Sequence, residues 1–330
     1  MEGAGEEARP VLLPPVQELA GQLGAAADVP ARYVARAGAG NDDDRKATET
    51  ALVPAIDLAR LCQPGGDGGA ADEASKLRLA LQSWGLFLVT NHGMEASLMD
   101  AMMDASREFF RQPLQERQKH SNMIDGKHFQ IEGYGNDWAP SESEEQVLDW
   151  TDRLYLKVEP QEDRKLDLWP TCLRDVLHEF TTGCTRVKDC LLPEMAKLLE
   201  LDDGYFIDQF GGKADAYASV GGLQVLRDGV WYDVPTRPHT LLINLGDQIE
   251  IMSNGIFKSP VHRVVTNAEK ERLSVALFYS IDPEREIQPA DKLIDENHPA
   301  LYKKVKIKEY IAGLYEHVAR GEMVIETAKI

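Results

Sequence analysis

Basic residues are the minority in this chain: 36 lysines and arginines stand against 55 aspartates and glutamates, a formal charge of -19 over 330 residues. A surface of that sign disfavours phosphate-backbone binding driven by counterion release, so nucleic acid is not an expected partner. Cysteine is scarce too. Cys62, Cys172, Cys184 and Cys190 fit neither a C-x-x-C metal site nor a dense disulfide framework, and the expectation is reduced, mostly buried thiols. No apolar run reaches membrane-spanning length, and the opening "MEGAGEEARP" lacks the basic and then apolar pattern of a signal peptide. These absences predict a cytoplasmic protein with no membrane partner. Internal repeats are also missing, while the 43% hydrophobic content is ordinary for a chain that buries a core.

Residues 37 to 50 and 63 to 73 are rich in Gly, Asp and small side chains and read as loops. Between them "ALVPAIDLARL" suggests a strand entering a sheet. A break at Gly85 is followed by a strand from Leu86 to Thr90, with His92 in the turn after it. Leu98, Met102, Ala105 and Phe109 recur at helical spacing before Pro113. A second stripe runs from Leu173 to Leu198 and predicts a long helix weakened at Gly183 and Pro193. After residue 220 the text changes to short strands: Asp228-Gly229 marks a hairpin, and "TLLINLGDQIEIMSNGIF" reads as two strands broken at Gly246-Asp247. "IKEYIAGLYEHVAR" closes the chain as a helix. Helices first and antiparallel strands later predict an α+β protein with a β-sandwich or jelly-roll core.

Strand alternation puts Arg272, Ser274, Ala276 and Phe278 on one face and Leu273, Val275, Leu277 and Tyr279 on the other. An arginine fork with a hydroxyl beside it suits a carboxylate. Taken alone, that pair reads better as an arginine paired with a local glutamate beside an incidental serine, and His262 at a strand start as a polar residue near a sheet edge.

The wider text bears on them. "GLQV", "NLGDQIEIMSNG", "SPVHRVV" and "RLSVALF" stand in the order found in the plant 2-oxoglutarate- and Fe(II)-dependent dioxygenases (isopenicillin N synthase-like), and "WGLFLVTNHG" and "DWTDRLYL" resemble that family's N-terminal region. The resemblance covers nearly the whole chain. It implies a double-stranded β-helix, or jelly roll, behind N-terminal helices. It further implies Fe(II) held by two histidines and a carboxylate, 2-oxoglutarate as cosubstrate with ascorbate in support, and hydroxylation, desaturation or demethylation of a small-molecule substrate. By position His262 matches the second histidine ligand, and Arg272 and Ser274 match the pair that grips the far carboxylate of 2-oxoglutarate. On the same reading residues 1–170 form the N-terminal region, 171–215 a long helix and its link, 216–285 the core, and 286–330 a C-terminal helical segment.

The first histidine and the carboxylate should come from an H-x-D motif ahead of "GGLQV". None of the eight histidines, at 92, 120, 128, 178, 239, 262, 298 and 317, is followed two residues later by Asp or Glu. Tyr217-Ala218-Ser219-Val220 leads straight to Gly221, where the family carries a tyrosine-proline strand, the H-x-D strand and another strand. About 25 residues or more are missing at typical element lengths, leaving the core short of two or three strands. The expectation is a family member that has lost its iron site and expresses poorly, with no residue assigned as catalytic. Two alternatives stay open: a rebuilt site using His239 and one of Asp215, Asp233 or Asp247, and a non-catalytic form that binds a protein or small ligand. Tyr134, Trp138 and Phe278 are candidate pocket walls and equally candidate core.

Overall fold

The computed structural model describes residues 14–23, 29–30, 33, 49–62, 69–125, 128–136, 149–210, 214–219, 222–265, 273–319 and 323–330. Most of the first loop, most of the second, Trp138, and Arg272 lie outside them.

The N-terminal part runs α1 (Val16–Leu23), β1 (Glu49–Thr50), β2 (Ala55–Asp57), α2 (Leu58–Leu61), α3 (Gly69–Ser83), β3 (Leu86–Thr90), α4 (Ala96–Arg111) and α5 (Leu114–Arg117). Strands β4 (Met123–Ile124), β5 (His128–Phe129), β6 (Gly133–Gly135) and β7 (Arg153–Glu159) follow, then α6 (Arg174–Leu198) and α7 (Tyr205–Phe210). The later part holds β8 (Ala214–Ser219), β9 (Gly222–Arg227), β10 (Val230–Asp233), β11 (Leu241–Asn244), α8 (Asp247–Met252), β12 (His262–Val265) and β13 (Ser274–Tyr279). Strands β14 (Glu286–Ile287) and β15 (Val305–Lys306) precede the closing helix α9 (Ile307–Ala319).

Three sheets carry the architecture: β1-β10-β9-β12, β11-β3-β2 and β13-β8-β7-β6. The stripe on α6 explains how they are joined. Leu191 and Met195 at its C-terminal end pack with Leu77 and Leu81 of α3 and with Phe87 and Val89 of β3. Leu177 and Phe180 at its N-terminal end pack with Phe109 of α4 and with Leu154 and Leu156 of β7. The helix runs unbroken through Pro193, so the stripe of buried contacts outweighs the backbone hydrogen bond that proline forfeits.

Three sequence expectations need correcting. Residues 69 to 73 are the first turn of α3, not loop, because Gly69 and Glu73 are buried against the body of the protein. The stretch after Gly246 is helix α8, not a strand. Ile249, Glu250, Ile251 and Met252 are all buried, so no polar face distinguishes the two periods. The thiols are not all free: Cys62 and Cys190 are disulfide-bonded, and Cys172 and Cys184 remain as thiols. The Asp228-Gly229 hairpin is as expected, with Arg227 opposite Val230 and both turn residues at positive φ, 51° and 78°.

Candidate functional site

His262 is the first residue of β12, opposite Val225 of β9. Its Nδ1 lies 3.0 Å from the Pro260 carbonyl oxygen. A carbonyl only accepts, so this hydrogen bond forms in the Nδ1-protonated tautomer, which leaves the Nε2 lone pair for a metal. Metal-binding histidines are oriented in this way, by a backbone acceptor on the other ring nitrogen. Asn244, at the end of β11, approaches the same Nδ1 at 3.4 Å. The histidine ring is exposed.

Ser274 is the first residue of β13, opposite Ser219 of β8. Alternation holds along this strand. Leu273, Val275, Leu277 and Tyr279 pack onto the core cluster of α4, β7 and α6, so Ser274, Ala276 and Phe278 face away from it. Phe278 is 55% exposed. The open face is therefore the one on which the sequence puts Ser274. His262 and Ser274 begin strands at the ends of two different sheets.

Iron needs at least two more ligands beside His262, and the candidates His239, Asp233 and Asp247 are committed elsewhere. His239 Nε2 meets Asp100 Oδ1 at 2.9 Å, Asp233 Oδ1 accepts from the Gln224 amide at 3.0 Å, and Asp247 Oδ2 accepts from the Tyr310 hydroxyl at 2.6 Å. Among the described residues no group of three His, Cys, Asp or Glu side chains is placed to hold a metal ion. The described residues do not fit an Fe(II) centre. An apolar groove of about 260 Å³ lies between Asn254, Ile256, Leu293 and Pro299, and none of the candidate residues lines it.

The junction upstream of the site is unusual. Strand β8 ends at Ser219 and β9 begins at Gly222, so two residues separate them. A link that short normally makes a hairpin between paired strands. Here β8 sits between β13 and β7, while β9 sits between β10 and β12 in another sheet. Four of the strands beyond the junction are thinly covered, although β9 buries Gln224 and Val225. β10, β11, β12 and β13 contain no buried residue, whereas Leu86 to Val89 of β3 are all buried.

Tyr134 is core and not a pocket wall. Its ring packs edge-on to Phe109 and Phe110, and its hydroxyl accepts from the Arg117 guanidinium. Arg117 also reaches Glu18 at 2.9 Å, while Asp152 accepts from the amides of Val16 and Gln17 at 2.6 and 3.0 Å. This buried cluster pins α1 to the body. It escaped the sequence reading because Asp152 lies 136 residues from Val16 and no local pattern links them.

Comparison with known proteins agrees with the fold. Residues 53–172 match the family model described as the N-terminal region of non-haem dioxygenases in morphine synthesis, and residues 214–281 match the 2OG-Fe(II) oxygenase superfamily. Protein SRG1 of Arabidopsis thaliana is 31% identical, with 97% of each chain covered, and the alignment runs over 362 positions, more than the chain itself has residues. Oxoglutarate-dependent flavonoid 7-O-demethylase 1 of Ocimum basilicum is 32% identical over 98% of this chain and 92% of its own. The crystal structure of JOX2 in complex with 2OG, Fe and JA superposes with a TM-score of 0.80 at 27% identity, covering 96% of this chain and 98% of that one. The chain belongs to the 2-oxoglutarate- and Fe(II)-dependent dioxygenases, oxidoreductases that act on small metabolites, and it shares their jelly-roll fold.

Proposed function

We propose that this chain is a form of a small-molecule dioxygenase without the segment that supplies the first histidine and the carboxylate of the iron site, and that as written it neither holds Fe(II) nor oxidises a substrate. The observation that carries this reading is the junction between β8 and β9: two residues join strands of different sheets. Consecutive strands are normally neighbours. The alignment longer than the chain and the absence of any buried residue in β10, β11, β12 and β13 support the same reading.

In the complete form His262 supplies one imidazole through Nε2, and Arg272 with Ser274 grips the far carboxylate of 2-oxoglutarate. Bound together, iron and 2-oxoglutarate supply the oxidising power. Here those three residues stand in a sequence that carries no H-x-D motif. Loss of groups that merely support a ligand already weakens metal binding about 10–100-fold, and here two direct ligands are gone. The substrate class is a small organic metabolite. Among the relatives, one is named for a flavonoid substrate, the oxoglutarate-dependent flavonoid 7-O-demethylase 1.

The test is anaerobic dialysis of the purified chain against Fe(II) with 2-oxoglutarate, followed by succinate measurement in air. The expected result is iron far below one equivalent and no succinate. Stoichiometric iron with 2-oxoglutarate-dependent succinate would overturn the proposal. A graft of the corresponding segment of Protein SRG1 between Ser219 and Gly222 should restore both, and His262→Ala in the graft should abolish iron binding again.

A further inference from the structure

Cys62 and Cys190 stand apart from everything the dioxygenase reading uses. Cys62 ends α2, its amide donating to the Leu58 carbonyl, and Cys190 lies within α6. Their Cα atoms are 6.3 Å apart across 128 residues of sequence, inside the range a disulfide requires. Both residues are half-buried at the rim of the main core, against which they pack.

The other two cysteines are placed differently. Burial pushes the Cys184 thiol up to about 12, and burial also raises that of Cys172. Thiolate is the reactive form, so these two are quiet at neutral pH. The fold thus sorts four cysteines into one bonded pair at a partly exposed position and two unreactive thiols.

The pair connects elements that otherwise meet mainly through apolar contacts. Leu58 and Leu61 of α2 enter the same core as Leu191 and Met195 of α6. At its other end α2 is fixed by Asp57, which caps Arg60 and accepts from the Asn91 amide at 2.7 Å. Strand β2, just before α2, borders the sheet whose far strand is β11, and Asn244 of β11 approaches His262.

We propose that Cys62 and Cys190 form a reversible redox tether, fastening α2 to α6 when oxidised and releasing it when reduced. Closing the bond takes two protons and two electrons from the two thiols, accepted by a peroxide or by a disulfide such as oxidised glutathione. Opening runs through a mixed disulfide with an incoming thiolate, which the partial exposure of both residues admits. The inference does not rest on the proposed loss of the iron site, because neither cysteine touches that region.

The test poises the full chain in glutathione buffers of stepped ratio, quenches in acid, alkylates under denaturing conditions and maps the cysteines by mass spectrometry. In the oxidising buffers two of the four cysteines are expected to be alkylated, Cys172 and Cys184, with one linked peptide pair carrying Cys62 and Cys190. In the reducing buffers all four become alkylated, in a single transition. Hydrogen exchange supplies the second readout: reduction speeds exchange of the α2 amides, α9 stays unchanged, and Cys62→Ser shows the fast α2 exchange in every buffer. Four alkylated cysteines in every buffer, a link to Cys172 or Cys184, a link only between chains, or one that no reducing buffer opens would each overturn the proposal. So would α2 exchange that ignores the redox state.

Discussion

Arg117 shows how much of this fold hangs on single buried charges. Its guanidinium is 5% exposed and faces Glu18 at 2.9 Å and Asp152 at 3.9 Å. Removing one member of such a group leaves the other charge buried, which costs about 3–5 kcal/mol. Because Glu18 remains, Asp152→Ala should fall near the lower end. At about 3 kcal/mol the α1 amides of Val16 and Gln17 should exchange roughly a hundred times faster, while those of α6 hold. Equal exchange in the variant would show that α1 is held by other contacts. Cys184 gives a second prediction at this scale. With its thiol near 12, only about one part in ten thousand is thiolate at pH 8, so native iodoacetamide labelling should leave it unmodified while denatured labelling takes it fully. Some of these placements were legible and some were not. Alternation alone put Ser274 and Phe278 on the open face of their strand, because the period of a strand is local. The Cys62–Cys190 bond spans 128 residues, and nothing in the spacing of four cysteines encodes that meeting.

Among the elements, the short ones decide where the candidate residues stand. Gly85 has φ +66° between α3 and β3, and a Cβ there would lie 2.2 Å from the Lys258 carbonyl oxygen and 2.7 Å from Pro260 Cδ. That approach locks the turn feeding β12 onto β3, with Leu245 donating to the Gly85 carbonyl at 2.9 Å. Gly85→Ala therefore incurs a left-handed backbone cost of about 1–2 kcal/mol and overpacking against backbone of about 1–3 kcal/mol. Gly93, at φ +77°, has nothing within 4 Å of its Cβ position, so Gly93→Ala should show the first cost alone. Urea midpoints of the two variants at unchanged m separate the terms. Equal midpoints would mean that the 258–260 turn moves aside without cost. The turn just before it explains a misreading. The alternation in "QIEIM" resembles a strand, but Asn254 and Gly255 at φ 51° and 74° close a helix, and Gly255 donates to the Glu250 carbonyl at 2.9 Å. Glu250 stays buried because Tyr302 donates to its carboxylate at 2.7 Å, a partner 52 positions away that local periodicity cannot supply. The hairpin at Asp228-Gly229 was legible for the opposite reason: its two residues specify the turn by themselves.

For the molecule as a whole, the exposed apolar edge strands of the later sheets and the net charge act against each other. Strands β11, β12 and β13 each end a sheet, and Val264 and Phe278 on two of them are 54% and 55% exposed. Open edges with apolar side chains favour association between chains. A formal charge of -19 opposes it, since like-charged molecules repel until salt shortens the screening length to about 10 Å at 0.1 M. Solubility should then depend on ionic strength in an unusual direction. At low salt the chain should elute as a monomer that binds a hydrophobic dye, and at a few tenths molar salt it should associate. The segment graft between Ser219 and Gly222 should cover the same faces, reduce dye binding and remove the salt dependence without changing the helices that pack on α6. If the chain as written melts cooperatively, binds no dye and stays monomeric at high salt, its later sheets are covered as they stand. The junction between β8 and β9 would then be a stable alternative route through the jelly roll, and the missing-segment reading would have to be abandoned.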